Sequence, residues 1–297
     1  MTALPRWLSV ALLLAIAASF GSNHIAARVA FDHGANVMTA VVFRSIGTGL
    51  AVLGVLLALR VPLGLPARTL GRALIIGLVI AAQSWFLYSS VARLPVALAL
   101  LTFNSYPILY TLLAWATGLE PRPPRAALLA MPVALFGLAL ALDVVGGAER
   151  LSSRWAEIGA GAAFAVAASI AFALVLYLSA RWMKGVDGRV RSCYGMAGCG
   201  VTALIAAGAT GTLVLPADGP GWLGLALLTL FYGSSITALF VLQPRMRAAS
   251  DVAVLNFEPV AVLFLAWAIL GQALAPEQVA GALIVIGCIV AIGTAKR

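Results

Sequence analysis

Charge is scarce in this chain. Of its 297 residues only 10% are Asp, Glu, Lys or Arg, where a soluble domain carries about 25%. That scarcity excludes soluble enzymes and disordered tails. Cysteine is rarer still. Cys193, Cys199 and Cys288 lie inside apolar stretches with no CxxC or Cys/His spacing, which excludes a disulfide scaffold or a zinc module and leaves small buried residues. There are two histidines and ten acids, with no DxxD or HxxxD pattern for a membrane-embedded transferase. No GxxxxGK[ST] loop is present, so the chain has no phosphate cradle for ATP. The expectation is a protein that is not an enzyme and takes no cofactor or metal.

What the chain has in quantity is apolar surface. Hydrophobic residues make up 63%, mean hydropathy is +1.05, and there are 29 glycines, a residue more frequent in transmembrane than in soluble helices. The surplus has to face lipid. The net charge of +9 does not indicate nucleic acid, because its Lys and Arg sit in short loops between long apolar runs.

A membrane helix needs about 20 mostly apolar residues. Breakers and charges divide the chain into ten such spans, near 7–30, 37–59, 69–92, 95–117, 125–143, 157–181, 191–215, 221–244, 251–270 and 277–295. The first continues past signal-peptide length and is expected to remain as an uncleaved helix. With the N-terminus placed inside, fourteen of the nineteen Lys and Arg residues fall on the inner side and four on the outer side, while Arg44 lies within the second span. Short loops biased in this way orient a membrane protein, so both termini are expected in the cytoplasm.

The chain also repeats itself. An offset of 152 places Asn104 on Asn256, Pro107 on Pro259, Leu113 on Leu265, Ala114 on Ala266 and Trp115 on Trp267. Asn, Pro and Trp rarely coincide by chance in one register. Two five-span halves, 1–148 and 149–297, are therefore expected. Because five is odd, the second half enters the membrane inverted, an architecture of secondary transporters with a central site between the repeats.

Ten spans in two halves, with Asn-x-x-Pro…Ala-Trp in the fourth and ninth, resemble the drug/metabolite transporter superfamily in its EamA-type branch. Glu258-Pro259, Ala266-Trp267 and Gly271-Gln272 look like the pattern of that branch's ninth span, in which a Glu often stands where Gln272 is. The chain is most similar to bacterial YddG-type amino-acid exporters. That resemblance implies the inner membrane, outward movement of amino acids or related metabolites, and a cavity lined by spans 1, 3, 4, 6, 8 and 9. Export of nucleobases, drugs or other metabolites is the alternative within the same fold.

Polar groups in hydrocarbon need a partner, water or a functional role. Glu258 is the one acid well inside a span, about 10 Å from the inner edge. It either binds a substrate ammonium or proton, or sits neutral beside the Pro259 kink. Arg44, about 10 Å below the outer surface, either attracts a carboxylate or snorkels to the interface. Asn23 and His24 lie in the outer half of the first span; titration of His24 suits gating or coupling, and capping or packing suits it equally.

In the third span Ser84 and Tyr88 share a face, with Gln83 and Leu87 beside it. In the fourth, Thr102, Ser105, Tyr106 and Tyr110 share a broad face opposite Asn104. Tyr88 reads as a cavity or interface residue, while Trp85 and Tyr106 lie deeper. Ser169, Phe172, Tyr177, Tyr232 and Ser235 are further candidates. The expected substrate-binding set is thus Tyr106, Trp85, Tyr88, Gln83, Ser84, Thr102, Ser169, Phe172, Tyr232 and Glu258. His24, Arg44, Glu258, Pro107 and Pro259 are expected to gate or couple. Asn104 and Asn256 are assigned to backbone carbonyls freed by the prolines. The partners expected are a small-molecule substrate and membrane lipid, without nucleic acid, and a monomer suffices.

Overall fold

The computed structural model describes residues 6–122, 148–242, 258–272 and 275–294, with scattered helical positions between 125 and 140. Every regular element among them is a helix. In chain order these are α1 (Arg6–Asp32), α2 (Val37–Ala58), α3 (Ala67–Val91), α4 (Val96–Phe103), α5 (Tyr106–Ala116), α6 (Ala148–Trp182), α7 (Gly188–Thr210), α8 (Gly219–Leu242), α9 (Glu258–Leu270) and α10 (Pro276–Thr294). Among the described residues, seven helical segments are long and apolar enough to cross a membrane, and Ala261–Leu270 and Val279–Cys288 are shorter apolar helices. The chain is a multi-pass membrane protein. Most of the fifth expected span and residues 243–257, including Asn256, lie outside the described residues.

Two boundaries differ from the sequence reading. The fourth span is not one continuous helix: α4 stops at Phe103 and α5 starts at Tyr106. Pro107 cannot donate to the turn before it and its ring crowds that turn. It stands in the first turn of α5, where its missing N–H costs nothing. The sixth span begins nine residues earlier than expected, at Ala148 rather than 157.

Helix starts follow the sequence register. α3 and α8 begin 152 residues apart, and α2 and α7 end 152 apart. Caps follow it approximately. Asn36 Oδ1 accepts from the Thr39 amide at 2.9 Å before α2, and Asp187 accepts from the Arg189 amide at 2.8 Å before α7. Each satisfies a first-turn donor.

Packing follows it too. α1 packs on α8 and α3 on α6; α3 packs on α7 and α2 on α8; α1 packs on α9 and α6 on α4 and α5. A shift of 152 residues carries α1–α8 onto α6–α3, α3–α7 onto α8–α2 and α1–α9 onto α6–α5, and α2–α7 onto itself; the counterpart of α4 lies outside the described residues. At one end, the 33–36 turn meets the 212–217 loop: the Ala217 amide donates to His33 O at 3.0 Å and Thr39 Oγ1 donates to Val214 O at 2.7 Å. At the other end, Val186 packs with Val61 and Leu63, and the Tyr194 hydroxyl donates to Leu63 O at 2.9 Å.

Glycine and alanine let these helices approach closely, as membrane helices require. A Cβ on Gly77 would meet Gly198 Cα of α7 at 2.8 Å, and one on Gly224 would meet Ala26 O of α1 at 2.8 Å. Leu50, Leu57, Leu78, Ile205, Leu230 and Phe264 are exposed. In water they would form an apolar patch prone to aggregation; here they make the lipid-facing surface. Trp115 and Trp267, equivalent in the repeat, both point outward.

Candidate functional site

Buried polar side chains of α1, α2, α3, α8 and α9 form one connected group. Arg44 of α2 is 3% exposed. Its guanidinium carbon lies 5.0 Å from the Tyr88 ring centre and 4.3 Å from that of Tyr232, and its Nη2 donates to Ser84 Oγ. Arginine stays charged in any protein setting. Two electron-rich ring faces replace part of the water it has lost. The expectation that Arg44 snorkels is corrected: the side chain turns inward, because α2 presents it to α3 and α8 rather than to lipid.

Tyr88 is fully buried and does not mark an interface. Its hydroxyl donates to Asn23 Oδ1 at 2.8 Å, and its ring meets the His24 ring edge-on at 6.0 Å. His24 Nε2 stands 3.6 Å from Glu258 Oε1. Arg44 and Glu258 therefore do not pair. They belong to one group through Tyr88, Asn23 and His24. Glu258 is the first described residue of α9 and is a quarter exposed.

A second group lies along α4, α5 and α6. Tyr106 and Phe172 meet edge-on at 4.7 Å, and Phe103 is 5.4 Å from each. Ser105 Oγ and Ser169 Oγ are 2.9 Å apart. Tyr106 and Glu258 are counterparts in the 152-residue register.

Other candidates fall elsewhere. Gln83 and Ser84 are buried with Tyr88 and Leu87, as their shared face requires. Trp85, one residue on and about 100° around the helix, is 39% exposed and packs against Phe86 and Phe164. Thr102 is enclosed and donates to Leu98 O at 2.9 Å. Asn104 Nδ2 donates to Leu100 O at 2.8 Å, a backbone-satisfying bond at the helix break. Tyr177 packs against the α3 cluster of Ala73 and Ile76, and Ser235 is buried. Pro259 lies in the first turn of α9.

Phe103 and the Ser45–Cys199 contact at 3.0 Å were not anticipated, because they need α6 and α7 placed against the first half. Gln272 is structural. Its Oε1 accepts the Val96 amide at 3.0 Å, tying the end of α9 to the first turn of α4. A Glu at that position would accept the same bond.

A separate groove of about 320 Å³ runs between α1 and α8, with Ile25, Val29, Leu223 and Leu227 among its walls. Its one hydroxyl, that of Ser22, is already bonded to Ala18 O. It offers a ligand no polar anchor and is not the site.

Comparison with known proteins locates this architecture. Residues 159–294 match the EamA-like transporter family, a family of membrane transporters of small molecules rather than enzymes. No curated protein matches the chain. A solved crystal structure of a protein is 20% identical, covers 96% of this chain and 97% of its own, and superposes with a TM-score of 0.65; at that identity it shows the fold alone.

Proposed function

We propose that this chain is a secondary transporter that moves amino acids or related small metabolites outward across the cytoplasmic membrane by alternating access. Its ten spans form two inverted five-helix repeats, 1–148 and 149–297, with both termini cytoplasmic. One chain encloses the site. The supporting observations are the 152-residue register of helix boundaries, the exchange symmetry of helix packing and the transporter-family match over the second half. The orientation rests on the end that carries Arg60, Arg68, Arg72, Arg181 and Lys184, since basic loops stay inside.

The observation that carries the reading is the buried group that links Arg44, Ser84, Tyr88, Asn23, His24 and Glu258. The break at Asn104–Ser105 falls just before Tyr106, the counterpart of Glu258 in the 152-residue register. Broken helices near the midplane of inverted repeats are where transporters hold their substrates. Tyr106, Phe103 and Phe172 offer apolar ring faces, and Glu258 offers an acceptor for an ammonium group. Tyr88, Tyr232, Gln83, Ser84 and Ser169 complete the lining. Rocking of one half against the other exposes the site to each side in turn.

The test is efflux of preloaded radiolabelled amino acids from proteoliposomes holding the purified protein. Saturable efflux that Tyr106→Ala abolishes supports the reading. Efflux no faster than from empty vesicles removes the amino-acid assignment. The aromatic trio also suits planar ligands such as nucleobases, so those form the next panel.

A further inference from the structure

We propose that Arg44 is the anchor for a carboxylate on the transported molecule, so that the substrates are carboxylate-bearing metabolites rather than amines or neutral compounds. The inference rests on the transporter reading above and deepens it.

Its physical basis is an uncompensated charge. Arg44 is buried, and among the described residues no carboxylate lies within ion-pair distance of it. The groups set against it are the Tyr88 and Tyr232 rings and the Ser84 hydroxyl, none of them an anion at neutral pH. Glu258, the acid inside a span, is turned to His24 instead. A buried charge without a counter-ion costs far more than a buried neutral group. The two tyrosine rings recover only part of that cost. A guanidinium kept there for packing alone would be better replaced by an apolar side chain of similar size.

The donors point the same way. A guanidinium has five N–H groups in a planar fork that matches a carboxylate. Arg44 uses Nη2 toward Ser84, while its Nε is enclosed and has no partner. One turn further along the same face of α2, Thr48 Oγ1 is enclosed and unpartnered as well, and it faces Gly233 of α8. On α8, Ser235 Oγ is a third such atom. Buried polar atoms without partners are uncommon in finished structures, and two of these, Arg44 Nε and Thr48 Oγ1, share one face of α2.

Tyr232 provides the entry. It is only half-buried, its hydroxyl has no hydrogen-bond partner among the described residues, and its ring rests on Phe20 and Arg44. Rotation of that ring uncovers the guanidinium. A carboxylate then accepts from Nε and Nη2 in the bidentate manner, with Ser84 released to donate to it.

The experiment compares ligands that differ in the carboxylate alone. Proteoliposomes with wild-type protein are loaded with labelled phenylalanine and, separately, labelled leucine. Unlabelled phenethylamine and isoamylamine, the same side chains without the carboxylate, are added as competitors. The amines are expected to compete at least about 10- to 100-fold more weakly than the parent amino acids, the worth of a hydrogen bond to a charged group. In Arg44→Gln this ratio is expected to collapse toward one through a rise in KM for the amino acid. Arg44→Lys, which keeps the charge but not the fork, should fall between.

Equal competition by amine and amino acid in wild-type protein overturns the carboxylate anchor while leaving transport standing. Movement of neither amino acid by folded protein overturns the amino-acid reading and this inference with it. An unchanged ratio in Arg44→Gln places carboxylate recognition elsewhere. Because the first comparison uses wild-type protein only, a variant that fails to fold does not obstruct it.

Discussion

A single methyl group at Gly77 is the sharpest probe of the α3–α7 contact. An added Cβ would lie 2.8 Å from Gly198 Cα, 3.0 Å from Gly198 C and 3.1 Å from Gly195 O. Comfortable carbon contacts are about 3.5–4.0 Å. All three obstacles are backbone, so no rotamer change relieves them, and the helices have to separate by roughly 0.5–1 Å. A gap of that size forfeits about a quarter to a half of each contact along the seam. Overpacking of this kind costs about 1–3 kcal/mol, against a gain of at most about 1 kcal/mol from replacing glycine by alanine within a helix. Gly54, an exposed glycine of α2 with no atom within 4 Å of its added Cβ, receives the gain without the cost. Gly77→Ala should therefore be about 1–3 kcal/mol less stable than Gly54→Ala. Thermal unfolding in detergent, followed by the fluorescence of the seven tryptophans, reads this as a melting temperature several degrees lower. Gly77→Ala melting at or above Gly54→Ala would refute the close packing described for α3 and α7.

Other perturbations test other contacts. Gln272→Leu leaves the Val96 amide without its acceptor and should cost about 1–3 kcal/mol, whereas Gln272→Glu should cost much less; the same melting assay separates them. Tyr88→Phe removes the hydroxyl that Asn23 accepts, for about 1 kcal/mol in stability, while keeping the ring beneath Arg44. Asp187 caps α7, and its bonds from Arg189 hold its carboxyl below the usual carboxylate range. A depressed folded-state pKa gives a contribution that is complete above the unfolded value of about 4 and is lost as pH falls through the folded one. The stability difference between wild type and Asp187→Ala should hold steady from pH 7 to 5 and shrink below 4 in melts across that series.

Much of the scaffold was readable before any coordinates, because lipid imposes long apolar runs and the repeat carries rare residues in register. Asn, Pro and Trp at an offset of 152 made α5 and α9 expected counterparts. Face arithmetic placed Gln83, Ser84, Leu87 and Tyr88 together, and all four are buried. It could not orient Arg44. A long side chain reaches about as far inward as outward, and only the neighbouring rings of Tyr88 and Tyr232 settle which. Nor could it find Asn23 as the acceptor for Tyr88, 65 residues away. The break at Asn104–Ser105 was foreshadowed by Pro107 but read as a kink, since a proline bends some helices and ends others.

The repeat proposed for this scaffold does not extend to its ionisable side chains. The register places Tyr106 on Glu258, each followed by proline. One half therefore presents a ring and a hydroxyl where the other presents a carboxylate. Arg44 has Met196 as its counterpart and His24 has Leu176, so both ionisable partners come from the first half alone. Exchange of the halves preserves the helix contacts but not the charges. Under the alternating access proposed above, inward- and outward-facing forms share one packing geometry while the charged groups see different neighbours in each, which gives a ligand the differential affinity that any shift between two states requires. Replacing Glu258 by Tyr would make the two register positions alike. With the packing left intact, that variant should fold, melt near wild type, and lose transport of an ammonium-bearing substrate; retained transport would show that the difference between Tyr106 and Glu258 is not what the site uses.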